Sequence, residues 1–153
     1  MMTEWPYNLP IWRRFHSAVS PDEKLVAKID PAYEVSMGNP TSGMLCVSNG
    51  LHIERCNPSF LWSDDSRYLA VPKYFGSWFR RQRLLVIDFA ERIVYASKFS
   101  DFYYQPESFT AGRLVVTVNP FRSQKTIEVK VPEDLSRTFN PLVAAWPEMP
   151  LRT

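Results

Sequence analysis

The 153-residue chain, 45% apolar and 22% charged, is long enough for one domain with a buried core. A formal net charge of +2 excludes nucleic-acid or membrane binding driven by bulk charge, and no stretch approaches the roughly 20 apolar residues that cross a bilayer. Ten Phe, seven Tyr and five Trp favour a core built on pleated sheets, and thirteen Pro break the chain too often for long helices.

Residues 1–14 read as an N-terminal arm containing "EWPYNLPIW". The arm lacks the early positive charge and apolar stretch of a secretory signal, so a cytoplasmic protein with Cys46 and Cys56 as free thiols is expected. "IWRRFH" (Ile11–His16) reads either as the first strand or as part of a basic, aromatic surface. Short runs rich in β-branched residues follow, each bounded by turn residues, which is the pattern of antiparallel β structure. In chain order they are Lys24–Ile29, Gly43–Ser48, Leu51–Cys56, Pro58–Ser63 and Arg67–Tyr74. Arg83–Phe89, Arg92–Phe99, Glu107–Ala111, Arg113–Asn119 and Lys125–Val131 complete the series. Asn49–Gly50, between two of these runs, predicts a two-residue hairpin turn. Residues 15–131 form the expected β core and 132–153 a Pro-rich tail, all within a single domain.

"SPDEKLVA" (Ser20–Ala27) and "SDDSRYLA" (Ser63–Ala70) share the pattern S-x-D-x-[KR]-x-[VL]-A at an offset of 43 residues. A third, degraded copy begins at "SFTAGRLVVTV" (Ser108–Val118), without the Asp. Such a period, with roughly four strands per unit, is that of propeller blades. The pattern resembles blades of the WD-repeat-like and TolB-type β-propeller superfamily, in which a strand ends in Ser-x-Asp and the next carries Leu-Ala. The resemblance spans roughly Phe15 to Val131. Glu23 and Ser66 stand where that turn usually has Gly, and the Trp-Asp dipeptide of true WD repeats is absent. The resemblance implies an all-β fold of antiparallel blade-like sheets, about 2.5 four-stranded repeats. Closed propellers need about four or more blades. An open or sandwich-like partial propeller is therefore expected, with oligomerisation as the other way to complete it.

The adjacent carboxylates Asp64 and Asp65 invite a catalytic reading. The first copy argues against it, because Asp22 matches Asp65 while Pro21 replaces Asp64. A short oxygen-bearing side chain holding a turn explains both copies. The spacing Cys46-x5-His52-x3-Cys56 suggests metal ligands. With a two-residue turn, however, Cys46 would share a face with Leu51 and Ile53, and His52 with Cys56 would occupy the other. No metal site and no Cys46–Cys56 disulfide are expected. No G-x-S-x-G elbow and no Gly-rich phosphate loop is present, and only His16 and His52 are available as histidine bases. A non-enzymatic chain without cofactor is the expectation.

The most unusual segment is "KYFGSWFRRQR", which combines Tyr74, Phe75, Trp78 and Phe79 with Lys73, Arg80, Arg81 and Arg83. Trp, Tyr and Arg carry much of the energy at protein interfaces, so this segment is the predicted protein-binding surface. The same segment also reads as an ordinary long hairpin with its rings in the core. "SDFYYQPESF" supplies a second candidate surface through Asp101, Phe102, Tyr103, Tyr104 and Glu107. The expected function is binding another protein, in its most concrete form as an immunity protein neutralising a toxin. The alternatives are a small hydrolase or ligand-binding β-protein, and a structural subunit that completes a propeller through open sheet edges. Neither nucleic acid nor membrane is an expected partner.

Overall fold

A computed structural model describes residues 9–35, 39–76, 81–121 and 123–137. Each of the ten expected strands forms, and two more join them. In order they are β1 (His16–Val19), β2 (Val26–Glu34), β3 (Thr41–Val47), β4 (His52–Cys56), β5 (Leu61–Trp62) and β6 (Tyr68–Phe75). β7 (Arg81–Asp88), β8 (Ile93–Ser97), β9 (Tyr104–Thr110), β10 (Arg113–Val118), β11 (Lys125–Lys130) and β12 (Leu135–Arg137) complete the chain. The fold is all-β. One antiparallel sheet of nine strands runs β1-β2-β3-β4-β6-β7-β8-β12 with β5 also on β6, and a second sheet runs β11-β10-β9.

The strands group as β1–β4, β5–β8 and β9–β11, blade-like units packed as an open partial propeller. Successive units splay apart because β6 changes partner along its length. Cys56 of β4 pairs with Lys73 at one end, and Leu61 and Trp62 of β5 pair with Ala70 and Leu69 at the other. The large sheet curls, so that Trp62 Nε1–H donates to the Ala18 carbonyl of the edge strand β1 at 2.9 Å.

Two cores result. Inside the curl lie Ile29, Leu45, Ile53, Leu69, Val71, Leu85 and Ile87. Between the sheets lie Ala70, Leu84, Val86, Tyr104, Phe109, Leu114, Val116 and Val118. Alternate residues of β6 and β7 therefore feed opposite cores, and "YLAVPKY" is buried throughout rather than alternating with polar residues. Each fully buried Leu or Ile contributes about 1.5–3 kcal/mol.

The repeated motif forms the same turn twice. Ser20 Oγ donates to Asp22 Oδ1 (2.7 Å) and accepts from the Leu25 N–H (3.1 Å), while Asp22 Oδ1 accepts from the Lys24 N–H (3.0 Å). Ser63 Oγ likewise donates to Asp65 Oδ1 (2.6 Å) and accepts from the Tyr68 N–H (2.9 Å), and Asp65 Oδ1 accepts from the Arg67 N–H (3.1 Å). Glu23 and Ser66 have φ of 63° and 66°, the conformation in which glycine is favoured. The turns also touch. Asp22 N–H donates to Ser66 Oγ at 2.8 Å, Asp64 N–H to the Phe109 carbonyl at 3.0 Å, and Ala111 N–H to Asp64 Oδ1 at 3.3 Å. Both carboxylates of the Asp64–Asp65 pair thus hold backbone together.

One expectation is corrected. The β3–β4 connection is not a two-residue turn, because Val47 N–H bonds to the Leu51 carbonyl and Gly50 N–H to Val47. Gly50 has φ 101° while Asn49 keeps a negative φ, its side chain instead accepting from the Leu51 N–H at 3.0 Å. The longer loop shifts the register, pairing Leu45 with Ile53 and Cys46 with His52. Cys46 and His52 lie together on the exposed face and Cys56 is buried in the core, so the three groups still occupy two faces. The segment read as the tail contributes β12, whose Leu135–Arg137 pairs with β8. The arm also docks in part: Ile11 is fully buried, and Asn57 Nδ2 donates to the carbonyls of Ile11 (2.9 Å) and Thr41 (2.8 Å).

Candidate functional site

The β7 end at Arg81 and Gln82, the β8–β9 connection and the β10–β11 turn meet at the end of the fold opposite the Ser-x-Asp turns. Gln82 and Asp101 exchange backbone hydrogen bonds (2.7 and 3.1 Å), and Gln82 Oε1 accepts from the Tyr104 N–H (2.8 Å). Asn119 ties in the third loop. Its N–H donates to the Tyr103 carbonyl (2.8 Å), its Oδ1 accepts from the Tyr103 N–H (3.1 Å) and its Nδ2 donates to Asp101 Oδ1 (3.2 Å). These bonds tie together segments far apart in sequence.

The two predicted surfaces converge on it. Arg81 donates from Nε to Ser100 Oγ (2.9 Å) and from Nη2 to the Ser100 carbonyl (2.7 Å), and its guanidinium lies 5.1 Å from the centre of the Phe102 ring. Phe102 remains 52% exposed. Beside it Asn39, Phe102, Tyr103, Asn119, Phe121 and Ser123 line a pocket of about 480 Å³. Phe121 packs between Trp12 (4.8 Å between ring centres) and Tyr103 (5.3 Å), and the Tyr103 hydroxyl donates to Asn39 Oδ1 at 3.2 Å. Burial pushes the Tyr103 phenol above its ordinary pKa.

The remaining predicted residues divide by burial. Lys73 and Tyr74 are interior rather than available to a partner. Lys73 Nζ donates to the Glu54 carbonyl, with burial lowering its pKa, and the Tyr74 hydroxyl donates to the Pro40 carbonyl at 3.1 Å. The doubly buried β6 strand draws both in. Tyr104 is also buried and belongs to the inter-sheet core. Phe75 is half-buried against the inner core, with the exposed Arg83 guanidinium 5.3 Å from its ring centre. Glu107 lies farther along β9, where it accepts from Gln105 Nε2 at 2.9 Å. Trp78, Phe79 and Arg80 lie outside the described residues.

Asn39, Asn119, Phe121 and Ser123 were not singled out by the sequence. Asn39 comes from the β2–β3 connection and the other three from the β10–β11 turn, and only Asn39 and Asn119, each directly before a Pro, carry a local turn signal. No group of three or more His, Cys, Asp or Glu side chains among the described residues converges as metal ligands, and none of their helices is long and apolar enough to cross a membrane. In comparisons with known proteins the chain matches no protein-family model, no curated protein and no solved structure.

Proposed function

We propose that this chain is a non-catalytic protein-binding module that docks through its loop end. The observation that carries this reading is the Arg81–Ser100–Phe102 arrangement beside the aromatic pocket. A guanidinium already held by two hydrogen bonds loses little side-chain freedom when a partner carboxylate approaches. The adjoining pocket accepts an apolar anchor. The partner surface that fits presents an apolar side chain flanked by acidic groups. As a concrete form we propose inhibition of a toxin by covering an acidic active site, which complementary charge would steer into place. The propeller-blade resemblance is supported by the two Ser-x-Asp turns, which share their hydrogen bonds and have positive φ where blades carry Gly.

Paired pull-downs with the wild-type chain and the double variant R81E/F102A test the proposal. A stoichiometric protein captured by the wild type is expected to bind the variant about 30-fold or more weakly, the loss of one hot spot. Equal capture by both would remove the loop end as the surface. Unchanged urea midpoints would show that the variant keeps its fold.

A further inference from the structure

The inter-sheet core is not closed at the loop end. β11 is an edge of its own sheet, while β12, only four residues later, leaves to pair with β8. Between these diverging strands opens a cleft of about 540 Å³, a size typical of small-molecule sites. Its deep wall is apolar: Leu84, Tyr104, Val118, Val129 and Leu135 are buried core residues that also line the cleft. On β11 every second residue faces it, and the series runs from exposed Lys125 through half-buried Ile127 to buried Val129. The opposite lip carries Lys98.

The charges at the mouth are unequal in their availability. Asp101 Oδ1 accepts from the Phe102 N–H (2.7 Å) and Asn119 Nδ2 (3.2 Å). Glu128 lies 4.0 Å from the Arg113 guanidinium, and Asp134 Oδ2 accepts from the Lys130 N–H (2.8 Å). Lys98 and Lys125 form no ion pair among the described residues. These donors offset part of the charge of the three carboxylates, whereas among the described residues the two ammonium groups have no partner of opposite charge. An apolar trough whose mouth holds two unpaired ammonium groups beside three carboxylates already met by donors matches a molecule having an apolar chain and one anionic head that seats against the ammonium groups.

We propose that this cleft binds a single-chain anionic amphiphile, a fatty-acid-like carboxylate, with its tail against Leu84, Val118 and Val129 and its head between Lys98 and Lys125. This site is distinct from the aromatic pocket and does not depend on the protein-binding reading.

Titration calorimetry of the full chain with decanoate, decanol and decyltrimethylammonium tests it, alongside the surface variants K98E/K125E and K98Q/K125Q. The expected result is one decanoate per chain, bound at least tenfold more tightly than the alcohol or the cation. Both variants are expected to lower decanoate affinity tenfold or more, and methyl shifts on Val118, Ile127, Val129 and Leu135 to mark the site in the wild type. The charge-neutral pair keeps the test valid should charge reversal disturb the fold. Absent decanoate binding, equal binding of decanoate and decanol, or unchanged affinity in the K98Q/K125Q variant would overturn the proposal.

Discussion

The Ser63 hydroxyl donates to Asp65 and accepts from the Tyr68 N–H, so one side chain closes both halves of a turn, and Ser20 does the same with Asp22 and Leu25. The two turns differ at their positive-φ residue. Glu23 makes no hydrogen bond through its side chain among those described, while Ser66 Oγ accepts from the Asp22 N–H. Glu23→Gly should therefore relieve backbone strain and raise stability by about 0.5–1 kcal/mol. Ser66→Gly should show no such gain, because it also removes a hydrogen bond worth about 1 kcal/mol. Urea unfolding of both variants checks the contrast, and equal gains would mean that the turn-to-turn bond is immaterial. The carboxylates also set a pH dependence. The Ser20 hydroxyl and Lys24 N–H hold the Asp22 carboxyl below its ordinary pKa. For Asp65 burial pushes upward, but the Ser63 hydroxyl and Arg67 N–H outweigh it and the net direction is down. Groups with a depressed folded-state pKa stabilise above the unfolded value and lose that contribution as pH falls through the folded one. Urea midpoints should thus hold steady down to about pH 5 and drop below about pH 4, with a shallower drop in Asp65→Asn.

At the scale of elements, β2 and β3 must approach closely where both are irregular. Their register shifts between Ile29 and Ala32, and Gly43 of β3 sits opposite Ala32. A Cβ at Gly43 would lie 2.6 Å from the Pro31 carbonyl oxygen and 2.8 Å from Ile29 Cγ2. The carbonyl is backbone and cannot swing aside, so Gly43→Ala should cost about 1–3 kcal/mol by overpacking. A loss below about 0.5 kcal/mol in thermal or urea unfolding would show that the bulge can widen. Strand β6 is joined to β7 by a second device. Arg67 makes a two-pronged pair with Asp88 (3.1 and 2.9 Å), and Asp88 Oδ1 also accepts from the Ala90 and Glu91 N–H groups. The buried carboxylate is fully satisfied, which is the condition under which such a group is tolerated in an interior.

For the whole molecule, the backbone seam between the first two units is short, Cys56 pairing with Lys73 and the Asn57 N–H donating to the Pro72 carbonyl beside the shared inner core. Cys56 is sealed there at 0% exposure. Burial pushes its thiol up to about 12, which leaves almost no thiolate at neutral pH. Cys46 lies exposed on the outer face. A thiol reagent at neutral pH should modify Cys46 promptly and Cys56 only at the rate of opening between the units, so Cys56 reports that event. Prompt modification of both in the native protein would mean that the units separate readily. Mass spectrometry after timed alkylation distinguishes the two outcomes.

Strand positions, the recurrence of the turn and the all-β class were legible because each depends on near neighbours: alternation, β-branched runs, and a Ser-x-Asp pair that bonds within five residues. The buried course of "YLAVPKY" was not legible, since its Lys73 and Tyr74 read as part of a binding surface. Lys73 follows its strand into the interior and finds the Glu54 carbonyl, a partner defined only by strand pairing. The β3–β4 register escaped the sequence because one extra loop residue, invisible in the Asn-Gly signal, reverses which face each side chain takes. Sequence by itself determined the strands and turns, whose energetics are local. Tertiary structure alone decided that Arg81, Ser100, Phe102 and Phe121 share one end, and that the inter-sheet core stays open between β11 and β12. Those relations depend on how sheets curl and on which strand takes which partner, which no local pattern encodes.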